Sequence, residues 1–525
     1  MPITEMLSRN ARMYPDETAL IECEPSENRR REITWLEFET LSNKLANVLL
    51  ARGVEKGDRV VLLMMNCLEW LPVYFGILKT GALAVPLNFR YNAEEIRKCI
   101  EVVRARVLVY GQEFQEKIDA IRNEIGYVES FIFIGEACSG RADNFFDLTA
   151  QAPAGDPGVP VCDCEEAALY FTSGTTGTPK PIILTHANLV SACITENRHH
   201  LQTHEDVFLC IPPLYHTGAK MHWFGSLIVG SRAVILRGVK PKWILKTVSE
   251  EKATIVWLLV PWAQDILEAI ESGEVDLRDY HLEQWRLMHI GAQPVPASLI
   301  RRWKKYFRDQ LYDTNYGLSE STGPGCVHLG VENIHKVGAI GKPGFNWEAE
   351  IVDEEGRPVP DGEVGELIVR GPGVMKGYYK NPEATGSVIK NGWLYTGDMA
   401  RRDEDGFIYL VDRKKDIIVS GGENIFPVEI EDFLRAHEDV KDVAVIGMPD
   451  KRLGEVVVAV VEPKPGRELT ESMIFEFCQV LPRCKRPRRV FFDRVPRNPT
   501  GKIEKPLLRK KYFGKAEAFY TEEPF

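Results

Sequence analysis

Residues 170–180 read Tyr-Phe-Thr-Ser-Gly-Thr-Thr-Gly-Thr-Pro-Lys. The stretch concentrates hydroxyls (Thr172, Ser173, Thr175, Thr176), two glycines (Gly174, Gly177) and one cation (Lys180). Glycines let backbone N–H groups approach an oxyanion, hydroxyls add donors, and a lysine adds charge. That chemistry suits a polyphosphate. Apolar residues lead in (Ala167, Ala168, Leu169) and out (Pro181 to Leu184), which predicts a strand–loop–strand hairpin. A Walker loop is excluded, because it needs G-x-x-x-x-G-K-[ST] running into a helix. Here the two glycines are too close together and Pro181 follows the lysine.

The segment resembles the phosphate loop of the adenylate-forming superfamily, which includes acyl-CoA synthetases, adenylation domains of peptide synthetases and beetle luciferases. The resemblance runs from about Ile33 to Lys505. Pro181 departs from the family's usual glycine and should stiffen the loop's exit without removing its function. The implied chemistry is attack of a carboxylate on the α-phosphorus of ATP, giving an acyl-adenylate and pyrophosphate. Both partners are anionic, so the site needs compensating cations and donors.

Further segments carry the same resemblance. Asn315-Tyr316-Gly317-Leu318-Ser319-Glu320 resembles the aromatic-Gly-x-Thr-Glu motif. It implies Tyr316 on adenine, close backbone approach at Gly317, Ser319 on phosphate and Glu320 on Mg²⁺. Thr396-Gly397-Asp398 implies a carboxylate that accepts from the ribose diol, with Arg413 helping to fix ribose or phosphate. Pro496 to Ile503 resembles the last family motif and makes Lys502 a mobile catalytic cation. Thr172 is grouped with Lys502, His216 and Glu320 as catalytic.

Pro213-Leu214-Tyr215-His216 points to acyl-CoA synthetases, with His216 as a gate between the nucleotide site and the pantetheine channel. Gly421 and Gly422 would line that channel, and Lys415 is the implied hinge. The acyl pocket is expected to draw on Ala219, Lys220, Met221, Trp223, Val260, Gly291, Ala292 and Gln293. Lys220 has two readings: a side chain directed away from the pocket, or a cation for a polar acid. Lys485, Arg486, Arg488 and Arg489 read equally as a CoA phosphate contact or a solvated surface.

The elements that must position these residues follow from periodicity. Stripes such as Phe38, Leu41, Leu45, Val48 and Leu49 predict helices at Ile3 to Tyr14, Trp35 to Arg52 and Trp70 to Thr80. Continuous apolar runs at Arg59 to Met64, Ala82 to Leu87 and Val107 to Tyr110 predict buried parallel strands. Ile255 to Ala263 reads as a buried strand with an exit turn at Pro261. The fold class is α/β: a large N-terminal domain of parallel βα subdomains plus a β-rich subdomain, and a small mobile α+β C-terminal domain. The boundary is placed at 412/413, giving an AMP- and acyl-binding domain over 1–412 and a mobile domain over 413–525.

The chain of 525 residues exceeds one core. Its net charge of −11 argues against nucleic acid as the main partner. Eleven scattered cysteines suggest reduced thiols and a cytoplasmic setting. Cys162-Asp163-Cys164 reads as a linker, with a zinc site as the sharper alternative. No signal peptide or membrane span is expected; peripheral association and a monomer or homodimer stay open. The expected reaction is an ATP-, Mg²⁺- and coenzyme A-dependent acid–thiol ligation. Stand-alone loading of a carrier-protein thiol, a luciferase-like oxygenase and a non-catalytic acyl-nucleotide sensor are the competing readings. Retention of Lys180, Glu320 and Lys502 opposes the sensor.

Overall fold

The computed structural model describes residues 1–136, 142–172, 180–291, 295–497 and 503–513; the side chains of Met221, His222, Phe224 and Pro324 also lie outside the description. Among the described residues, two large, mostly parallel sheets form the body. One has eight strands. Its centre is Arg59–Leu63, Leu83–Pro86 and Val107–Gly111, flanked by the antiparallel pair Glu166–Thr172 and Lys180–Thr185. The other has seven strands and runs from Leu311–Asp313 through Leu287–Gly291, Ile255–Leu259 and Val207–Cys210 to the hairpin Thr18–Glu24/Arg29–Thr34.

Helices expected from periodicity form where caps allow. Trp35–Ala51 starts at Thr34, whose hydroxyl accepts the Glu37 N–H while the Glu37 carboxylate accepts the Thr34 N–H. Its apolar stripe enters a core shared with Trp70, Phe75 and Trp223. The strand at Ile255–Leu259 passes directly into the helix Val260–Glu271, not into a turn. Pro261 sits in the helix's first turn, where a missing N–H costs nothing.

From Glu348 the chain builds short antiparallel strands, as expected, and these form a five-stranded sheet that includes Trp393–Arg402 and Ile408–Arg413. The smaller C-terminal domain has its own core. The strands Val440–Asp450 and Gly454–Pro463 are backed by the helices Pro427–Arg435 and Glu471–Phe477. The two parts meet at Asp412, whose carboxylate accepts the Val428 N–H at 2.9 Å; within the C-terminal part, Arg509 pairs with Asp416 at 2.8 Å.

The expected state of one cysteine pair also fails. Cys162 and Cys164 are paired as a disulfide, with Cα atoms 5.5 Å apart, where reduced thiols were expected. No described helix is long and apolar enough to cross a membrane.

Candidate active site

The phosphate-loop hairpin is closed by strand pairing of Thr172 with Lys180, and the Thr172 hydroxyl donates to the Lys180 carbonyl at 3.3 Å. Ser173, Gly174, Thr175, Thr176 and Gly177 lie outside the described residues. On its far side, Lys180–Thr185 pairs with Gly377–Tyr378, setting Tyr378 opposite Ile182. The Tyr378 hydroxyl donates to Glu320 Oε1 at 3.0 Å. Glu320, in a 3₁₀ turn with Ser319, is thereby tied to the strand that leaves the loop. A half-buried carboxylate is a hard oxygen donor and fits Mg²⁺.

Beside this, three distant segments converge. The Tyr316 hydroxyl donates to Asp398 Oδ2 at 2.5 Å, and Arg413 Nε lies 3.1 Å from Asp398 Oδ1. The last contact follows from the register of neighbouring strands, which sets Asp398 opposite Arg413. Burial, then the Asp398 charge, pushes the Tyr316 phenol well above its usual range. Burial works against the Arg413 guanidinium, but Asp398, Tyr316, Asp416 and Glu320 together outweigh it and the pKa rises. A carboxylate held on both oxygens is fixed in orientation, as a clamp for a diol requires. Gly317 lies in the same strand as Tyr316. Asn315 turns elsewhere: its amide donates to Glu196 Oε1 at 2.8 Å.

The acid side is less orderly. His216 precedes the helix Thr217–Val229 and its ring lies 4.2 Å from that of Tyr215. Gly218 meets Gly323 closely. A Cβ on Gly323, whose φ is +104°, would come within 3.3 Å of the Gly218 nitrogen. Ala219 and Trp223 belong to the hydrophobic core, where Trp223 packs against Phe38 and Phe75, so Trp223 does not stand at a pocket wall. Lys220 is directed the same way, with Nζ 4.2 Å from the Tyr74 ring centre and 3.8 Å from that of Tyr170. Its side chain is buried against these two rings. Burial holds its pKa well below the ordinary lysine value. Val260 is buried in a second core at the start of its helix. Gly291 ends its strand, while Ala292, Gln293 and the Met221 side chain lie outside the description.

The C-terminal residues are partly placed. Gly421 and Gly422 form the exposed turn of the hairpin Ile418–Ser420/Glu423–Ile425, both at positive φ (+60° and +88°). Lys415 lies in a 3₁₀ turn, its pKa lowered by burial and then by Arg413. Lys502 is outside the described residues. On either side of it Arg497 and Ile503 form a bridge, and Arg497 pairs with both oxygens of Asp442 at 2.7 and 2.9 Å.

The AMP-binding enzyme family model matches residues 7–379, and the model of its C-terminal domain matches 429–502. The chain belongs to the AMP-binding enzyme family. It is 32% identical over 512 residues to a long-chain-fatty-acid–CoA ligase of Mycobacterium tuberculosis, covering 97% of this chain and 98% of that one. It is 34% identical over 516 residues to a feruloyl-CoA synthase of an Amycolatopsis species, covering 96% and 98%. The solved structure of an anthranilate CoA ligase in complex with anthranoyl-AMP superposes with a TM-score of 0.88 at 28% identity, covering 98% of each chain. The chain is thus an adenylate-forming acid–thiol ligase of the acyl-CoA synthetase branch, using ATP, Mg²⁺ and coenzyme A.

Sequence reasoning missed Tyr378, because its contact with Glu320 depends on a strand pairing that no local motif announces. It also missed a buried group of Glu196, His200, His289, Asp313 and His328. Its one local signal was the i,i+4 spacing of Glu196 and His200.

Proposed function

We propose that this enzyme converts a fatty or aryl carboxylic acid to its acyl-adenylate and then to its CoA thioester, releasing AMP. The observation that carries this reading is the convergence of Tyr316, Asp398 and Arg413 beside the strand that ties Glu320 to the phosphate-loop hairpin. Asp398 and Arg413 orient the ribose, Tyr316 presents its ring to adenine, and Thr172 and Lys180 set the loop that receives the phosphates. Mg²⁺ at Glu320 supplies charge neutralisation on the phosphates. Residues 1–412 carry these groups except Arg413, the first residue of the 413–525 domain, which moves about Lys415. In one orientation Lys502 reaches the reacting oxygens; in the other, the Gly421–Gly422 turn faces the pantetheine path past His216.

Support for the acid class comes from the relatives, named for a long-chain fatty acid and for ferulate. Support for CoA over a carrier protein comes from the Pro213 to His216 segment and from relatives named as a CoA ligase and a CoA synthase. The test is pyrophosphate release from a panel of fatty, branched, alicyclic and aryl acids, with CoA and a phosphopantetheinyl carrier as rival acceptors. Thioester formation only on the carrier would overturn the CoA reading.

A further inference from the structure

Behind the nucleotide site lies a wholly buried polar cluster. His289, in the strand Leu287–Gly291, stands opposite Asp313 of the neighbouring parallel strand. Glu196 and His200 come from the last turns of the helix His186–His200. Each of these four side chains has 0% exposure. His200 Nε2 is 2.9 Å from His289 Nδ1 and 3.7 Å from Asp313 Oδ2, and His289 Nδ1 is 3.6 Å from Asp313 Oδ2. A point in the plane of these three atoms lies about 2.0 Å from all of them, the length of a zinc–imidazole or zinc–carboxylate bond. Glu196 Oε2 lies beside the group, 3.5 Å from His200 Nε2.

We propose that His200, His289 and Asp313 bind one zinc ion. Two imidazole nitrogens and a carboxylate oxygen suit zinc and disfavour Mg²⁺ or Ca²⁺, which take all-oxygen sets. Two carboxylates in a dry interior carry two negative charges, and burying them is costly unless they are compensated. A dication at the three donors offsets this charge together with His328, which faces Asp313 at 3.2 Å and Glu196 at 3.5 Å. The surroundings orient the ligands as outer partners do in zinc sites. The Gly330 N–H donates to Asp313 Oδ1 at 3.0 Å, His328 Nδ1 lies 3.2 Å from Asp313 Oδ2, and the Asn315 amide holds Glu196 Oε1. The site is enclosed, so its role is structural. It joins a helix end to the two strands that lead to Gly291 and to the Tyr316 segment. It does not depend on which acid the enzyme activates.

The test uses the full chain, produced with zinc in the medium and desalted without chelator. Elemental analysis should find near-stoichiometric zinc in the wild type and in a Cys162→Ser/Cys164→Ser variant, and loss of it in His289→Gln and Asp313→Asn. His328→Gln should bind zinc about 10–100-fold more weakly, as outer-partner variants do. Because the ligand variants can fail to fold, the wild type is also stripped by a chelator and titrated with cobalt(II). Visible d–d absorption of a tetrahedral nitrogen–oxygen site should appear, be displaced by zinc but not by magnesium, and restore the melting temperature lost on stripping. Zinc retained in His289→Gln, zinc lost only with the cysteine pair, or a chelated wild type that takes up neither zinc nor cobalt would overturn the proposal. Histidine–carboxylate hydrogen bonds alone would then account for the cluster.

Discussion

Asp398 and Lys220 are both buried charged residues, and their surroundings differ. Asp398 is gripped by a phenol on one oxygen and a guanidinium on the other. Lys220 lies on the faces of Tyr74 and Tyr170, whose hydroxyls are themselves 3.1 Å apart. The first environment fixes the direction of a charge, as a ligand clamp must. The second discourages a charge, because desolvation of an ammonium outweighs its attraction to ring faces. Burial of a charged residue therefore does not by itself mark a binding site; the partners decide.

The sharpest way to widen this contrast is at Lys502. Lys502→Ala should slow adenylation by about 10²–10³, the scale for losing one transition-state electrostatic contact. Thioester formation from supplied acyl-adenylate should persist. Lys415→Pro should show the reverse pattern, because a fixed φ restricts rotation. Single-turnover pyrophosphate release and thioester formation separate the two, and equal losses in both steps for both variants would break the alternating-domain account.

A smaller effect is expected at Asp412, three residues before the implied hinge Lys415. Burial raises its carboxyl from 3.8 to about 6, against the opposing pull of Lys505. A folded pKa above the unfolded value means stability that is full below about pH 4 and lost as pH rises through about 6. Asp412→Asn should flatten that slope by on the order of 1–3 kcal/mol. Denaturant titrations of both proteins from pH 4 to 7 check it; parallel curves would show that Asp412 does not titrate as its burial implies.

The nucleotide side was legible because its signals are short and local. Tyr316, Glu320, Asp398 and Arg413 each sit in a motif of a few residues, and strand register then brings two of them face to face. The α/β class was legible for the same reason, since strand and helix periods are local. The acid side was not. Which face a residue of Thr217–Val229 presents depends on how that helix rolls against Phe38 and Phe75, and nothing within the helix's own sequence says so. Hence Trp223 and Lys220 were drawn toward a pocket when both turn into the core. Glu196, His289 and Asp313 lie far apart in the chain and meet only through tertiary packing.

The smallest effect follows from that helix roll. Lys220→Leu should leave the ranking of acids unchanged and keep or raise stability by ~1 kcal/mol, as buried charges replaced by apolar groups often do. With a lysine pKa lowered on folding, the wild type regains stability as pH rises toward the unfolded value near 10.4, and the variant should not. A reordered acid ranking would return Lys220 to the pocket.

The most direct test of the account measures ATP affinity calorimetrically in Asp398→Ala and Lys220→Leu side by side, with folding checked by circular dichroism. Loss of hydrogen bonds to a charged group should weaken binding by about 1.5–3 kcal/mol in Asp398→Ala, and Lys220→Leu should match the wild type. Unchanged affinity in a folded Asp398→Ala would contradict the ribose clamp and, with it, the assignment of this site to the nucleotide.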